Sequence, residues 1–360
     1  MALKCGIVGL SGVGKTTVFN CLSKSKVGAS APKGTNLGQI EVPDPRLVHL
    51  YELAKSAKIV PTTVEIVDIP GLMKGSSQIK GGNQFLADIR QTDAILHVLR
   101  CFDDETVPHL EGSVNPVRDK EIVDLELISR DLETLEKKLQ RLEKLVKAGE
   151  KDAKTGIEVI NKLKDHMENG LPARTFPIEE KDRKYIDDCF LLTVKPVLYV
   201  CNVDEGSAAS GNPYVEKVKE AVKDENTGML IIAAQAEADI AELEDETDRV
   251  EFLKDLGLVE PGVNKLIRAA YEMLNLKTFF TVGPKEAHAW TIREGMTAPQ
   301  SAGVIHSDLE RGFIRAEVMK YEDFAKYGSE HACKTAGKFF IEGKTYIVQD
   351  GDILNIRFNV

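Results

Sequence analysis

The sequence predicts an α/β fold with a mostly parallel sheet covered by helices on both faces, and three observations predict it. Short apolar runs bounded by polar or turn residues recur along the chain, helical patterns lie between them, and a glycine-rich pattern follows the first run directly. The runs are residues 3–8, 64–67, 94–99, 197–200 and 229–232, each brief enough to read as a buried strand. In such a sheet ligands sit outside the carboxyl ends of the strands.

Between the third and fourth runs the pattern changes. Leu125, Ile128, Leu132, Leu135, Leu139, Leu142 and Val146 recur at alternating spacings of three and four, a heptad seam. Ile160, Leu163 and Met167 give a second helical pattern, and the Ala148-Gly149 break between the two predicts an antiparallel helical hairpin, inserted over residues 118–192 of a first domain spanning 1–275. Beyond Leu276 the texture becomes short β-like stretches, 277–282, 312–318 and 345–348, which predicts a small separate domain over 276–360. That domain carries acidic and basic residues in equal number, so its charge gives no reason to read it as an RNA binder.

Composition narrows the classes. The 360 residues are 42% apolar and 29% charged, as in ordinary globular proteins. A net charge of -10 argues against a surface that grips nucleic acid as a whole, while leaving a local basic patch open. Six cysteines without a C-x-x-C pair point to free thiols in a reducing compartment. No stretch of roughly 18 uninterrupted apolar residues is present, and the first residues lack a signal-peptide core. The expectation is a cytoplasmic monomer with no membrane partner.

Gly9-Leu-Ser-Gly-Val-Gly14-Lys15-Thr16 is a full G-x-x-x-x-G-K-T pattern, placed after a strand and before a helix. It predicts a P-loop in which the backbone of Gly9, Ser11, Gly12, Val13 and Gly14 faces phosphates, with Thr17 following. Lys15 reaches the β and γ oxygens, and the Thr16 hydroxyl ligates Mg²⁺. Asp68-Ile-Pro-Gly71 follows the second apolar run as a switch loop would, Asp68 holding Mg²⁺ through water and the Gly71 amide meeting the γ-phosphate. Leu72 stands where a Ras-type switch carries its water-orienting glutamine, so catalysis is slow, is rescued by another group, or is absent. Asn202-Val203-Asp204-Glu205 occupies the place of the guanine-reading N-K-x-D loop. Val203 lacks the long stem and Glu205 is one methylene too long, so guanine selectivity is expected to be lost, with Asn202 holding the P-loop or the base and the Ala233-Ala234 loop near the adenine edge.

These motifs, together with Val42-Pro-Asp-Pro-Arg46, Val60-Pro-Thr-Thr63, Asn83-Gln-Phe-Leu-Ala87, Arg100-Cys-Phe102, Ala236-Glu-Ala-Asp-Ile-Ala-Glu-Leu243 and Asp350-Gly-Asp352, resemble the Obg-like ATPase (YchF) family over essentially the full length. The resemblance implies a G domain, an inserted coiled-coil hairpin and a C-terminal TGS domain of β-grasp type. It also implies an ATP-hydrolysing protein that binds ATP at least as well as GTP, and association with a ribosome or ribosomal subunit, where RNA contact is possible. It assigns the water-positioning role to His109, which read alone is an ordinary loop histidine. The sequence departs from the family at Ser11, at the shortened switch segment 30–36, where Thr35 is the replacement metal ligand, and in a second switch about one residue shorter. A competing class is a nucleotide-stabilised ribosome- or RNA-binding module without turnover.

Overall fold

The computed structural model describes residues 3–24, 37–69, 80–225 and 227–359, with backbone alone for 80–84. Among these residues the strands are β1 (Lys4–Val8), β2 (Leu37–Glu41), β3 (Ile59–Val60), β4 (Thr63–Asp68), β5 (Ala94–Cys101), β6 (Val197–Val203), β7 (Gly228–Ile232), β8 (Leu276–Val282), β9 (Ala287–Arg293), β10 (Phe313–Lys320), β11 (Phe340–Glu342) and β12 (Asp352–Phe358). The helices are α1 (Lys15–Lys24), α2 (Pro45–Ala54), α3 (Lys80–Arg90), α4 (Pro116–Lys147), α5 (Asp152–Glu168), α6 (Pro213–Val222), α7 (Ala234–Glu242), α8 (Glu246–Asp255), α9 (Gly262–Met273), α10 (Ala298–Ile305), α11 (Ser307–Arg311), α12 (Tyr321–Tyr327) and α13 (Glu330–Thr335).

The first sheet has the order β2-β4-β1-β5-β6-β7, and its pairs β1–β4, β1–β5, β5–β6 and β6–β7 are parallel. Every residue of β5 and β6 is buried, which is why these strands read as continuous apolar runs rather than alternating ones. β1 lies between β4 and β5, so the order reverses beside it and the crevice at its carboxyl end is the natural ligand position.

α4 and α5 form the antiparallel hairpin. Asn115 caps α4 by accepting from the Arg118 amide at 3.2 Å, and Pro116 opens its first turn. The chain reverses at Gly149, whose φ of 95° suits glycine. Ile128, Leu135 and Leu142 meet Ile160, Leu163 and Met167 in the seam. Leu125 is the exception to the predicted heptad: it is 55% exposed, and Val123 and Leu127 are buried in its place. The sheet beneath the first turns of α4 sets the buried stripe there, before the two-helix seam begins.

Asp131 joins this hairpin to the return of the chain. Its buried carboxylate accepts from Leu192 N and Thr193 N at 2.8 Å each and from Thr193 Oγ1 at 2.7 Å. Burial raises its pKa, and these hydrogen bonds oppose the rise.

The second sheet is mixed, with the order β11-β10-β12-β8-β9-β3. β8 and β12 lie side by side and parallel, while β8–β9, β10–β12 and β10–β11 are antiparallel. Leu47 and Leu50 of α2, Phe324 of α12 and Cys333 of α13 pack with Phe280, Met319 and Ile353 in one core. Ala298 and Ala302 of α10 pack with Phe279, Val318 and Leu354 in another. The expected β stretch at 345–348 contributes only the bridge Thr297–Ile347. The chain divides into two compact units, 1–38 with 65–266 and 39–64 with 267–360. The boundary expected at 276 assigns 39–64 to the first domain; helix α2 instead buries its apolar face against β8 and β9.

Replacing Asp131 by alanine should lower unfolding free energy by about 3 kcal/mol, because buried donors at Leu192 and Thr193 lose their acceptor. Urea unfolding followed by circular dichroism checks this, and a loss below about 1 kcal/mol contradicts it.

Candidate functional site

The turn after β1 is built so that backbone, not side chains, lines the cradle. Gly9, Gly12 and Gly14 have φ values of 148°, 79° and 92°. At Gly14 a methyl group would come within 2.3 Å of Asn202 Nδ2, and at Gly9 within 2.5 Å of Val98 O, so both positions require glycine. Ser11 and Gly12 are exposed at the tip, Val13 is buried, and α1 begins at Lys15 with Thr16 and Thr17 in its first turn. The helix N-terminus thus points its free amides into the cradle. Lys15 is buried and donates to Leu10 O at 2.7 Å; burial lowers its pKa to about 8, against the pull of Asp68. Thr16 Oγ1 donates to Asp68 Oδ2 at 3.2 Å. Burial raises the Asp68 pKa, with Thr16 and Lys15 opposing. A hydroxyl and a carboxylate oxygen meeting at the end of a phosphate cradle are hard donors of the kind Mg²⁺ takes.

Asn202, at the end of β6, ties this loop to the rest of the sheet. Its Nδ2 donates to Val13 O at 3.0 Å, and its Oδ1 accepts from Ala234 N at 3.0 Å. The side chain is buried and both functions are engaged in protein, so it braces the P-loop. Val203, Ala233 and Ala234 are also buried, and Glu205 is exposed at the head of a short 3₁₀ turn capped by Asp204.

His109 follows β5 on a loop that lies against the cradle: a methyl group on Gly12 would stand 3.6 Å from Val107 Cγ1 and 3.8 Å from Pro108 O. Arg100 shapes this loop. It is fully buried, donates to Phe102 O at 3.2 Å, Val107 O at 2.8 Å and Asp104 O at 3.0 Å, and stacks on Phe102. The His109 ring turns inward, with Nε2 2.8 Å from Asp119 Oδ2 and Nδ1 accepting from Glu111 N at 3.1 Å.

The structure therefore brings Gly9, Ser11, Gly12, Val13, Gly14, Lys15, Thr16, Thr17, Asp68 and Asn202 to one crevice, with the His109 loop beside it. Gly71, Leu72 and Thr35 lie outside the described residues. Sequence reasoning missed Arg100 and Asp119 as site-shaping groups. A charge directly after the apolar run 94–99, still within β5, was the available signal for Arg100; Asp119 gave none, since a first-turn acid is ordinary at a helix N-terminus.

Comparison with known proteins places the chain. A profile described as 50S ribosome-binding GTPase matches residues 4–162, and a C-terminal YchF GTPase profile, described as a protein of unknown function (DUF933), matches 276–359. Proteins named ribosome-binding ATPase YchF from Pasteurella multocida and Bacillus subtilis are each 47% identical, over 365 and 367 residues, covering 100% of both chains. The solved structure of the Schizosaccharomyces pombe YchF GTPase superposes with a TM-score of 0.87 at 36% identity, covering 99% of this chain and 97% of that one.

Because Asn202 acts on the loop, Asn202→Ala should weaken ATP and GTP binding by similar factors, about tenfold each, and cost about 2 kcal/mol of stability. Calorimetric titrations with both nucleotides check this; a loss confined to one base would mean that Asn202 reads the base.

Proposed function

The chain belongs to the YchF family, and from that premise we propose that it is a ribosome-associated, Mg²⁺-dependent switch that hydrolyses ATP, and GTP less selectively than a G-protein does, to the diphosphate and phosphate. It acts in the cytoplasm. The observation that carries this reading is the complete cradle from Gly9 to Thr16, with Lys15 at the first turn of α1 and Thr16 against Asp68. The names of the relatives support ribosome association. With it goes a domain assignment of a G domain over 1–275, carrying the helical insertion at 118–192, and a TGS-like domain over 276–360, supported by a C-terminal profile that begins at 276, with 39–64 and 267–275 packing into the C-terminal unit.

In this mechanism water attacks the γ-phosphate in line, with no covalent enzyme intermediate. Backbone amides of the loop bind the phosphate oxygens. Lys15, which here donates to Leu10 O, turns to the β and γ oxygens and balances their charge. Thr16 and Asp68 would hold Mg²⁺, with Thr35 as a further ligand; the ion would supply positive charge against that developing on the phosphate oxygens. The Gly71 amide senses the γ-phosphate, and His109 positions the water by hydrogen bonding. Exposed Glu205 and buried Val203 leave the guanine edge without its usual partners, so the base is read by backbone near Ala233 and Ala234.

A second reading, a nucleotide-stabilised module without turnover, is favoured by one observation: both ring nitrogens of His109 are engaged within the protein. Multiple-turnover phosphate release, with and without ribosomes, separates the two.

Lys15→Ala should weaken ATP binding by about 2–3 kcal/mol, roughly 30- to 150-fold; unchanged affinity in calorimetry with the fold intact refutes the phosphate role. In Mg²⁺, ATP should compete at least equally with GTP, and a tenfold preference for GTP in competition titrations would show that Glu205 still reads guanine.

A further inference from the structure

His109 cannot hold a water in the arrangement seen. The Glu111 amide donates to Nδ1, so Nδ1 is the acceptor of the ring and Nε2–H donates a hydrogen bond to Asp119 Oδ2. The imidazole is 4% exposed and Asp119 1%, although residues 103–108 and Leu110 around it are exposed. The other oxygen of Asp119 is held by Arg118, through Nε at 3.2 Å and Nη2 at 3.0 Å, and Arg118 is itself fixed by Ser113 O at 2.6 Å. The acceptor is therefore preset from the far side, and the ring is saturated.

Asp119 stands in the first turn of α4, the helix that goes on to form one arm of the hairpin. Its neighbour Lys120 anchors that turn in a buried charge cluster, 2.8 Å from Asp124 and 2.5 Å from Glu225, with Arg174 joining the same two carboxylates. The position of the α4 base sets whether Asp119 reaches His109.

Resting on the reading of His109 as the water-positioning group, we propose that Asp119 is a positioning residue that latches His109 away from the phosphate cradle, and that displacement of the first turn of α4 releases the ring for hydrolysis. Phosphate release at saturating ATP and Mg²⁺, without ribosomes, tests it in four variants against the parent. His109→Ala should fall at least tenfold in kcat. Asp119→Ala should rise at least fivefold with KM within about twofold, and the double variant His109→Ala/Asp119→Ala should return to the level of His109→Ala. Lys120→Ala, which loosens the α4 base without touching His109, should move kcat in the same direction as Asp119→Ala. If Asp119→Ala does not fold, Asp119→Asn replaces it: its one amide oxygen cannot serve both Arg118 and His109, and a rise in kcat is again expected. A fall in kcat on changing Asp119 overturns the latch and makes Asp119 an orienting partner of the histidine; no change also overturns it. An unaltered His109→Ala removes the water-positioning reading itself, and the proposal with it, while a fall in His109→Ala with no gain in the Asp119 variant refutes the latch alone.

Discussion

The buried carboxamide of Asn202 is the interaction on which the nucleotide site depends. One side chain offers a donor to the P-loop at Val13 O and an acceptor to the start of α7 at Ala234 N. Neither aspartate nor leucine of similar size could do both. The parallel register brings it there: Asn202 pairs with Arg100 on β5 and with Ile232 on β7. Two adjacent residues at the carboxyl ends of neighbouring strands thus fix two loops, Asn202 the P-loop and Arg100 the loop of His109. The glycine at 14 follows from the same brace, since the carboxamide leaves no room for a Cβ.

Burial of charge is concentrated where α4 meets the sheet. Lys120, Asp124, Arg174 and Glu225 interlock, and Tyr199 donates to Glu225 at 2.9 Å. His97 packs against Tyr199 beside this cluster, and burial lowers its pKa to about 4, so it enters the core neutral. A buried network of this kind contributes little net stability compared with apolar packing, but losing one member strands the others. It gives the root of the helical arm one preferred seat.

The strands of the first sheet were legible because parallel strands buried on both faces leave continuous apolar runs; all five predicted runs became strands. β2 and β3 were not, since Leu-Gly-Gln-Ile-Glu and the pair Ile59-Val60 are too short or too mixed to stand out. The P-loop was legible because its chemistry is local: glycines, lysine and threonine act at fixed spacing. Asn202 was legible as a residue that holds either the P-loop or the base, and only the fold decides for the loop by delivering Val13 O and Ala234 N to it. The loop-holding role of Arg100 was not legible, because it depends on which backbone groups the fold brings to the side chain. Asp119 was hidden for the same reason, its partner lying in a loop outside its helix.

The unit built around the second sheet is assembled from two stretches separated by most of the chain: Arg46 pairs with Asp350 across 304 positions, and Ser56 donates to Gly283 O across 227. A nascent chain emerging amino end first must therefore carry α2, with Leu47 and Leu50 uncovered, until the last strands have been made. Cutting the gene at 276 would release neither half intact, because the shorter product lacks α2 and the longer one keeps it with nothing to cover its apolar face.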